Sequence, residues 1–482
     1  MKKIKQFLFH NTSAKQTVAK NTIWLFSGEI VGRILKLAIV VFATRKLGVE
    51  GWGLFSYALA FVSFFYVLGD FGINTFLTRE MSRESADRST YLATSVIVKL
   101  VLLGSFFIAS LLIGPHIGKI ALSFGTVLVF STFLVFESLR EFALSINRSM
   151  EKMEREGFSK ILINAIITVL GIILIIRNNT PLSLALAYMT GSIVSTIYIF
   201  WSVRNEFKGL TWKFSKEQFK ILYEFSWPLI ILGLFSFIFS IDSIMLGQMK
   251  SATDVGLYAA SQRLVQFLTI IPTFIAVATF PILSKNEADA KKLANIFEKV
   301  MVIILATALP LMIGGLFFSR QLILLVLGHG YIAAVPVLTI LMLTTIASFP
   351  NIMLTNVIFS KNLQRIFILA SSFGVVVNVG LNFWLIPAYG AVGAAISTVA
   401  ACGLIMTVNW IRLKKFVPFS IVPKLGKILM ACLGMTIAIL ACNALGVPFI
   451  GSVLFAIAVY TFALYILKEP AFTEILSLIR SR

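Results

Sequence analysis

The sequence predicts an all-α polytopic membrane protein of about fourteen transmembrane helices, arranged as two parallel six-helix bundles followed by two extra helices. Three observations carry this. Of 482 residues, 58% are hydrophobic and 13% charged, with a mean hydropathy of +0.92, far from the balance of a soluble domain. Apolar stretches of about twenty residues, enough to cross roughly 30 Å of hydrocarbon, recur along the whole chain. Finally, one sequence pattern occurs in both halves, at 47–61 and again at 246–264.

The chain starts with a polar, basic segment, 1–20, holding Lys2, Lys3, Lys5, Lys15 and Lys20 and no small-residue cleavage site, so the first helix is expected to be retained. Spans are expected at about 21–47, 51–76, 90–114, 117–145, 158–176, 181–203, 221–248, 255–283, 292–318, 332–358, 364–386, 391–413, 424–444 and 448–468. With the N-terminus inside, 31 Lys and Arg fall on inside segments and six on outside ones: Arg45, Lys46, Lys119, Arg177, Lys250 and Arg320. This positive-inside bias places both termini in the cytoplasm and explains the net charge of +21. The basic residues form no clustered face of the kind a nucleic-acid binder needs, so no nucleic acid is expected.

The expected organisation is an N-terminal bundle over 21–203, a cytoplasmic amphipathic linker over 204–220, a C-terminal bundle over 221–413, helices 13 and 14 over 424–468, and a cytoplasmic tail over 469–482. In the linker, Phe207, Trp212, Phe214 and Phe219 are placed to dip into the headgroup region. In the repeat, Leu47-Gly48 aligns with Leu246-Gly247, and Gly53-Leu54-Phe55 with Gly256-Leu257-Tyr258 after a four-residue insertion. Both copies sit at the first outside turn of their half, which makes the bundles parallel repeats with the substrate site expected between them.

The first span concentrates the chemistry. Glu29, Arg33 and Lys36, at spacings of four and three, share one helical face. Each ionised group near the middle of a span costs about 2.5 to 3.5 kcal/mol on insertion scales, whereas a Leu, Ile, Val or Phe returns only about 0.3 to 0.6. The stripe is therefore expected to face protein or a wet cavity. Asp70, Lys99, Glu137, Arg140, Glu141, Asp242 and Arg263 complete the intramembrane charges, and Gln262, Gln266, Thr269 and Thr273 recur beside Arg263 in the eighth span. Arg33, Lys36 and Arg263 suit an anion such as phosphate, with Glu29, Gln262 and Gln266 in the same cavity lining. Pairing of Glu29 with Arg33 within the helix is the bland reading, and it leaves Lys36 unexplained. Glu137, Arg140 and Glu141 are expected to pair structurally, and Lys99 to snorkel to the inner surface. Asp70 and Asp242 are candidates for coupling to a proton or sodium ion, with helix capping or pairing between spans as the other reading.

Cys402, Cys432 and Cys442 lie in apolar segments far from any His, so neither a disulfide framework nor a metal site is expected. Gly390, Gly393, Ala394, Ala395 and Ser397 permit close helix approach. The chain has no GxxxxGK[ST] phosphate loop and no loop-borne acidic or nucleophilic cluster, which argues against an ATPase, a membrane glycosyltransferase or a ligase. No enzyme and no cofactor are expected.

Taken in order, NTIWLFSGEIVGRI, LGVEGWGLFSYALAF, GDFGINTFLTREMSR, SIDSIMLGQMKSATDVGLYAASQRL, IPTFIAVATFPILSK and LIPAYGAVGAAIST give a chain that resembles the polysaccharide transporter family of O-antigen flippases (Wzx type). That family belongs to the multidrug/oligosaccharidyl-lipid/polysaccharide exporter superfamily. The resemblance implies two six-helix bundles in a V, alternating access, and transfer of an isoprenoid-pyrophosphate-linked oligosaccharide from the inner to the outer leaflet of the cell membrane. It also implies membrane lipids and polysaccharide assembly proteins as partners, and a groove for the lipid tail on the last two spans. Arg33 and Arg263 sit in elements where related lipid II flippases use basic residues. The alternative on the same fold is an ion-coupled multidrug or cation antiporter, which predicts a net acidic cavity; the intramembrane groups here number five basic against six acidic when Glu80 at the inner edge is included.

Overall fold

The computed structural model describes residues 14–82, 88–116, 119–120, 122–208, 210, 212–236 and 238–470; most of the N-terminal segment and all but the start of the tail expected from the sequence lie outside the described residues. These residues form α-helices and short 3-10 turns, with no strand among them. The helices are α1 (Ala14–Asp70), α2 (Ile73–Met81), α3 (Arg88–Ile113), α4 (Phe124–Ser149), α5 (Met153–Arg177), α6 (Pro181–Val203), α7 (Lys216–Ser236), α8 (Ile238–Met249), α9 (Ala252–Leu268), α10 (Ile270–Lys285), α11 (Ala290–Val326), α12 (Val335–Met342), α13 (Thr345–Ser360), α14 (Gln364–Tyr389), α15 (Ala391–Lys414), α16 (Gly426–Ala444) and α17 (Phe449–Ile466).

Among the described residues, nine helices are long and apolar enough to cross a membrane, and ten spans result when the bent pair His329–Met342 and Thr345–Ser360 is taken as one, at an angle of 44°. The chain is thus a multi-pass membrane protein. The helices at the expected first, second, fourth and seventh spans stand outside that count. They carry Glu29, Arg33, Lys36, Asp70, Glu137, Arg140, Glu141 and Asp242. The sequence expectation of fourteen spans includes them.

Contacts divide the chain into two units, Met1–Gly256 and Leu257–Arg482. In the first, α1 holds both of the first two expected spans. Its break is at Gly48, with φ 70° and ψ −178°, a conformation that side chains bearing a Cβ avoid. Beyond it, Trp52 and Phe55 are buried, and Phe55 packs on Phe130 of α4 and Tyr188 of α6 with ring centroids 5.3 Å apart in both cases. The expected second span does not run unbroken to residue 76. Phe71 and Gly72 both take positive φ, 49° and 68°, and the chain restarts as α2. A core of Ile73, Phe76, Leu77, Leu92, Phe142, Ile146 and Ile199 then joins α2, α3, α4 and α6.

The linker is not a continuous helix. Arg204–Phe207 is one 3-10 turn and α7 starts at Lys216. Phe207 turns back onto Phe200, with centroids 5.9 Å apart, while Trp212, Phe214 and Phe219 are exposed.

In the second unit, Phe297, Met301, Phe349, Met353, Val357 and Phe419 form one core, and Phe318, Ile428, Cys432, Ile439, Ala456 and Tyr460 form another that seats α16 and α17 on α11. All three cysteines are buried free thiols, Cys402 in α15 and Cys432 and Cys442 in α16. The outward faces of α16 and α17 carry Leu429, Leu433, Ile437, Leu454 and Phe462, as expected for helices bathed in lipid.

Candidate functional site

The site starts from two glycines. A Cβ on Gly28 of α1 would stand 2.7 Å from the Gly157 Cα of α5, and one on Gly157 would stand 2.5 Å from the Trp24 carbonyl oxygen. Helices in lipid gain association energy from such backbone approach, because lipid competes with larger apolar side chains but not with close packing. The crossing places the residues that follow each glycine beside one another. Glu29 accepts from Arg33 Nε at 2.6 Å on its own helix and from Lys160 Nζ at 3.4 Å across the crossing.

From this point, ion pairs run without interruption through α5 into α4. Lys160 also reaches Glu156 at 3.4 Å. Glu156 accepts both arms of Arg148, each at 2.8 Å. Arg148 extends to Glu141 at 3.2 Å, Glu141 accepts from Arg140 at 2.8 Å, and Arg140 grips Glu137 through two bonds of 2.5 and 3.0 Å. The order is Arg33, Glu29, Lys160, Glu156, Arg148, Glu141, Arg140, Glu137, with alternating sign at every step. Arg140, 5% exposed, also donates to Ser159, which bonds Ser195 of α6. Such a closed network satisfies every buried charge it contains.

The face of α1 is informative. At about 100° per residue, the side carrying Glu29, Arg33 and Lys36 lies roughly 140° from the side carrying Ile30, Val31 and Ile34. Those three apolar residues are 38, 38 and 57% exposed, whereas Gly28, Gly32 and Ile39 are buried between the two faces. The charged stripe therefore looks away from the helix's apolar exposed face. Lys36 is exposed on it, and Arg33 and Glu29 are about three-tenths exposed.

Asp70 sits at the break between α1 and α2 and is engaged there. Its Oδ1 accepts from Asn74 Nδ2 at 2.6 Å and from Lys99 Nζ at 2.8 Å. Lys99 is 1% exposed. The expectation that it snorkels is corrected: an amine with a carboxylate within reach on a neighbouring helix stays buried against it. Asp242 of α8 is fully buried.

In the second unit, Arg263 Nη1 donates to Gln266 Oε1 at 3.3 Å on α9, and Gln262 is buried. Thr269 and Thr273, expected on the same polar face, spend their hydroxyls on the carbonyls of Gln266 and Thr269, each at 2.7 Å. They cover the break between α9 and α10.

The two repeat copies meet in the first unit. A Cβ on Gly53 would overlap the Ala252 carbonyl oxygen, and one on Gly256 would overlap the Val49 carbonyl oxygen. Gly247 lies against the Tyr57 ring, whose hydroxyl accepts from Gln248 at 3.0 Å. Sequence reasoning missed Lys160, Arg148 and Glu156, having placed them with the inside loop. Their signal was the pair Glu156 and Lys160, four residues apart at the start of an apolar helix.

The family model described as Polysaccharide biosynthesis protein matches residues 18–287, and the one described as MatE matches residues 228–384. A Shigella flexneri protein named as an O-antigen transporter is 23% identical, over 79% of this chain and 94% of its own length. A Haloferax volcanii protein named as the low-salt glycan biosynthesis flippase Agl15 is 21% identical, over 79% of this chain and 80% of its own. Among solved structures, the lipid II flippase MurJ in an inward closed conformation aligns with a TM-score of 0.75 at 18% identity, covering 96% of this chain and 99% of that one. An inward-facing multidrug resistance MATE family transporter of the MOP superfamily aligns with a TM-score of 0.63 at 16% identity, covering 82% and 98%. These likenesses establish the fold shared by MurJ and the MATE transporters.

Proposed function

The chain belongs to the polysaccharide biosynthesis protein family, and on that footing we propose that it is a flippase, carrying an isoprenoid-pyrophosphate-linked oligosaccharide from the cytoplasmic to the outer leaflet by alternating access. The observation that carries this reading is the Glu29, Arg33 and Lys36 stripe, turned away from the apolar exposed face of α1 and backed by Lys160. A guanidinium and two amines on one rim offer a pyrophosphate the donors and charge it needs, and they act more strongly where water is scarce. The relatives named as O-antigen transporter and glycan flippase support a glycan as the cargo.

In this scheme the sugars and pyrophosphate travel through a polar cavity while the prenyl tail stays in lipid. No covalent bond is made or broken. Residues 21–203 and 221–413 act as the two six-helix bundles. Arg263, with Gln262 and Gln266, serves as the basic group of the second. The outer ends of the repeat helices, at Gly53 and Gly256, are the gate. Asp242 is the residue we assign to coupling with a proton or sodium ion. Asp70 is committed to Lys99 and Asn74, which favours a structural role for it. The charge bias of the loops supports cytoplasmic termini in the cell membrane, and polysaccharide assembly proteins are the expected neighbours.

The deciding experiment reconstitutes the protein in liposomes with a lipid-linked oligosaccharide and reads its leaflet with an impermeant sugar-modifying reagent. Transfer by the wild type, lost in Arg33→Ala and Arg263→Ala with both variants folded, is the expected result. Equal transfer by all three overturns the site. The MatE match keeps a second reading, an ion-coupled multidrug or cation antiporter. It requires the protein to protect a drug-sensitive strain, and a strain whose susceptibility is unchanged by the gene speaks against it.

A further inference from the structure

On the charged face of α1, one carboxylate lies between two cations that belong to different helices. Glu29 takes Arg33 at 2.6 Å and Lys160 at 3.4 Å, and the side chains of Glu29, Arg33 and Lys160 are 31, 28 and 28% exposed. The two contacts of Lys160 are unequal in need. Glu156, its other acceptor at 3.4 Å, is 4% exposed and already holds Arg148 by two bonds of 2.8 Å. Both distances exceed the roughly 2.7–2.9 Å of a close charged bond, so the amine is shared loosely by two carboxylates. Arg33 engages Glu29 through Nε alone, which leaves the outer nitrogens of the guanidinium fork for a second oxygen.

The rim is built by backbone approach, since Gly28 and Gly157 touch and a Cβ on Gly32 would stand 3.1 Å from Asn164 Nδ2 on the turn after Lys160. This fixes the spacing of the two cations around the carboxylate. A carboxylate oxygen and a phosphate oxygen offer these donors the same acceptor chemistry, but a phosphate has more oxygens and more charge.

We infer that Glu29 holds the place of a phosphate group: the substrate's pyrophosphate displaces the carboxylate from Arg33 and Lys160, and Lys160 is a substrate-binding residue. The inference rests on the flippase reading and adds to it the reason that a membrane helix can carry these charges while empty. With Glu29 in place, part of the rim's positive charge is offset internally. With the carboxylate swung aside, two cations from α1 and α5 face the ligand, and Lys36 lies along the same stripe. Glu29 also sets a threshold, because a weakly charged ligand does not compete with it.

The test uses the full-length protein in nanodiscs, with farnesyl diphosphate and inorganic pyrophosphate as probes in a calorimetric titration. Lys160→Met is expected to weaken farnesyl diphosphate binding about tenfold, the effect of losing one bond to a charged group, while Lys160→Arg stays within about threefold of wild type. Glu29→Gln is expected to tighten binding, by about fivefold, because it removes the competing charge. Tighter binding of farnesyl diphosphate than of inorganic pyrophosphate places the ligand on a lipid; equal binding of the two leaves a free-phosphate site with the same residues. Weaker binding in Glu29→Gln, or wild-type binding in Lys160→Met with only its melting temperature lowered, overturns the inference. Should Glu29→Gln fail to accumulate in the membrane, the Lys160→Met and Lys160→Arg pair decides alone. Wild-type transfer in the leaflet assay keeps the outcomes separate: if transfer stands while Lys160→Met binds normally, only this inference falls, whereas a wild type that transfers no lipid-linked oligosaccharide removes the flippase reading itself.

Discussion

Gly53 and Gly256 are reciprocal: each lies on the carbonyl oxygen of the residue four positions before the other, Gly53 on Ala252 and Gly256 on Val49. The two repeat copies therefore meet through equivalent atoms, like the two sides of a symmetric dimer interface folded into one chain. Nothing larger than hydrogen fits at either position.

Gly53→Ala and Gly256→Ala should thus have the same effect. Either Cβ forces the helices apart, and overpacking of this kind costs about 1–3 kcal/mol where the backbone can move. We expect both variants to expose a cysteine placed at Val49 to an impermeant maleimide from outside, with labelling raised about tenfold over the glycine parent. Unchanged labelling in both would show that this contact does not seal the outer end.

The buried pair of Lys99 and Asp70 is asymmetric. Lys99 is 1% exposed and Asp70 31%. Asp70→Asn leaves a buried ammonium without its charge partner, and breaking a buried pair this way costs about 3–5 kcal/mol. Lys99→Met leaves a carboxylate that still has Asn74 and solvent. Thermal unfolding in nanodiscs should find Asp70→Asn the more damaging of the two, with the double variant recovering part of the loss.

Arg148 holds the deepest carboxylate of the ion chain. Arg148→Met should destabilise the protein by up to about 3 kcal/mol, because it removes two close bonds and leaves Glu156 only the 3.4 Å contact with Lys160. Adding Glu156→Gln should restore much of this. A double-mutant cycle on melting temperatures measures the coupling, and additive losses would mean that the two side chains act independently.

Asp242 gives the coupling assignment a direct check. Asp242→Asn keeps the volume of a fully buried side chain and removes its charge. We expect transport that no longer responds to an imposed proton or sodium gradient, in protein that still accumulates in the membrane. Gradient-dependent transport in this variant would move coupling elsewhere.

Much of this was legible in the sequence. Apolar stretches of bilayer length announce the helices, and Leu47-Gly48 announces the turn that Gly48 makes. The charges on α1 were visible as well, because they interrupt an apolar run. So was the pairing of Glu29 with Arg33 within the helix, but their partners on other helices were not. Lys160 stands 131 residues from Glu29, and periodicity reports which residues share a helix face but not which faces meet. Lys160 therefore read as one more basic residue of an inside loop. Lys99 was misread for the same reason: its carboxylate is on another helix, 29 residues back. The break after Asp70 escaped because Phe71, a bulky residue, adopts the positive φ that sequence reasoning reserves for glycine or asparagine.

The ion chain also orders events in time. During synthesis at about 5–20 residues per second, roughly 7 to 26 s separate the emergence of Glu29 from that of Lys160, given their separation of 131 residues. Throughout that interval α1 has its charges but not the helix that matches them. It must wait beside the insertion machinery or at the headgroup layer until α5 arrives, so a delay in making α5, or a change at Gly157 that keeps the two helices apart, should show itself first as a newborn first helix handed to quality control.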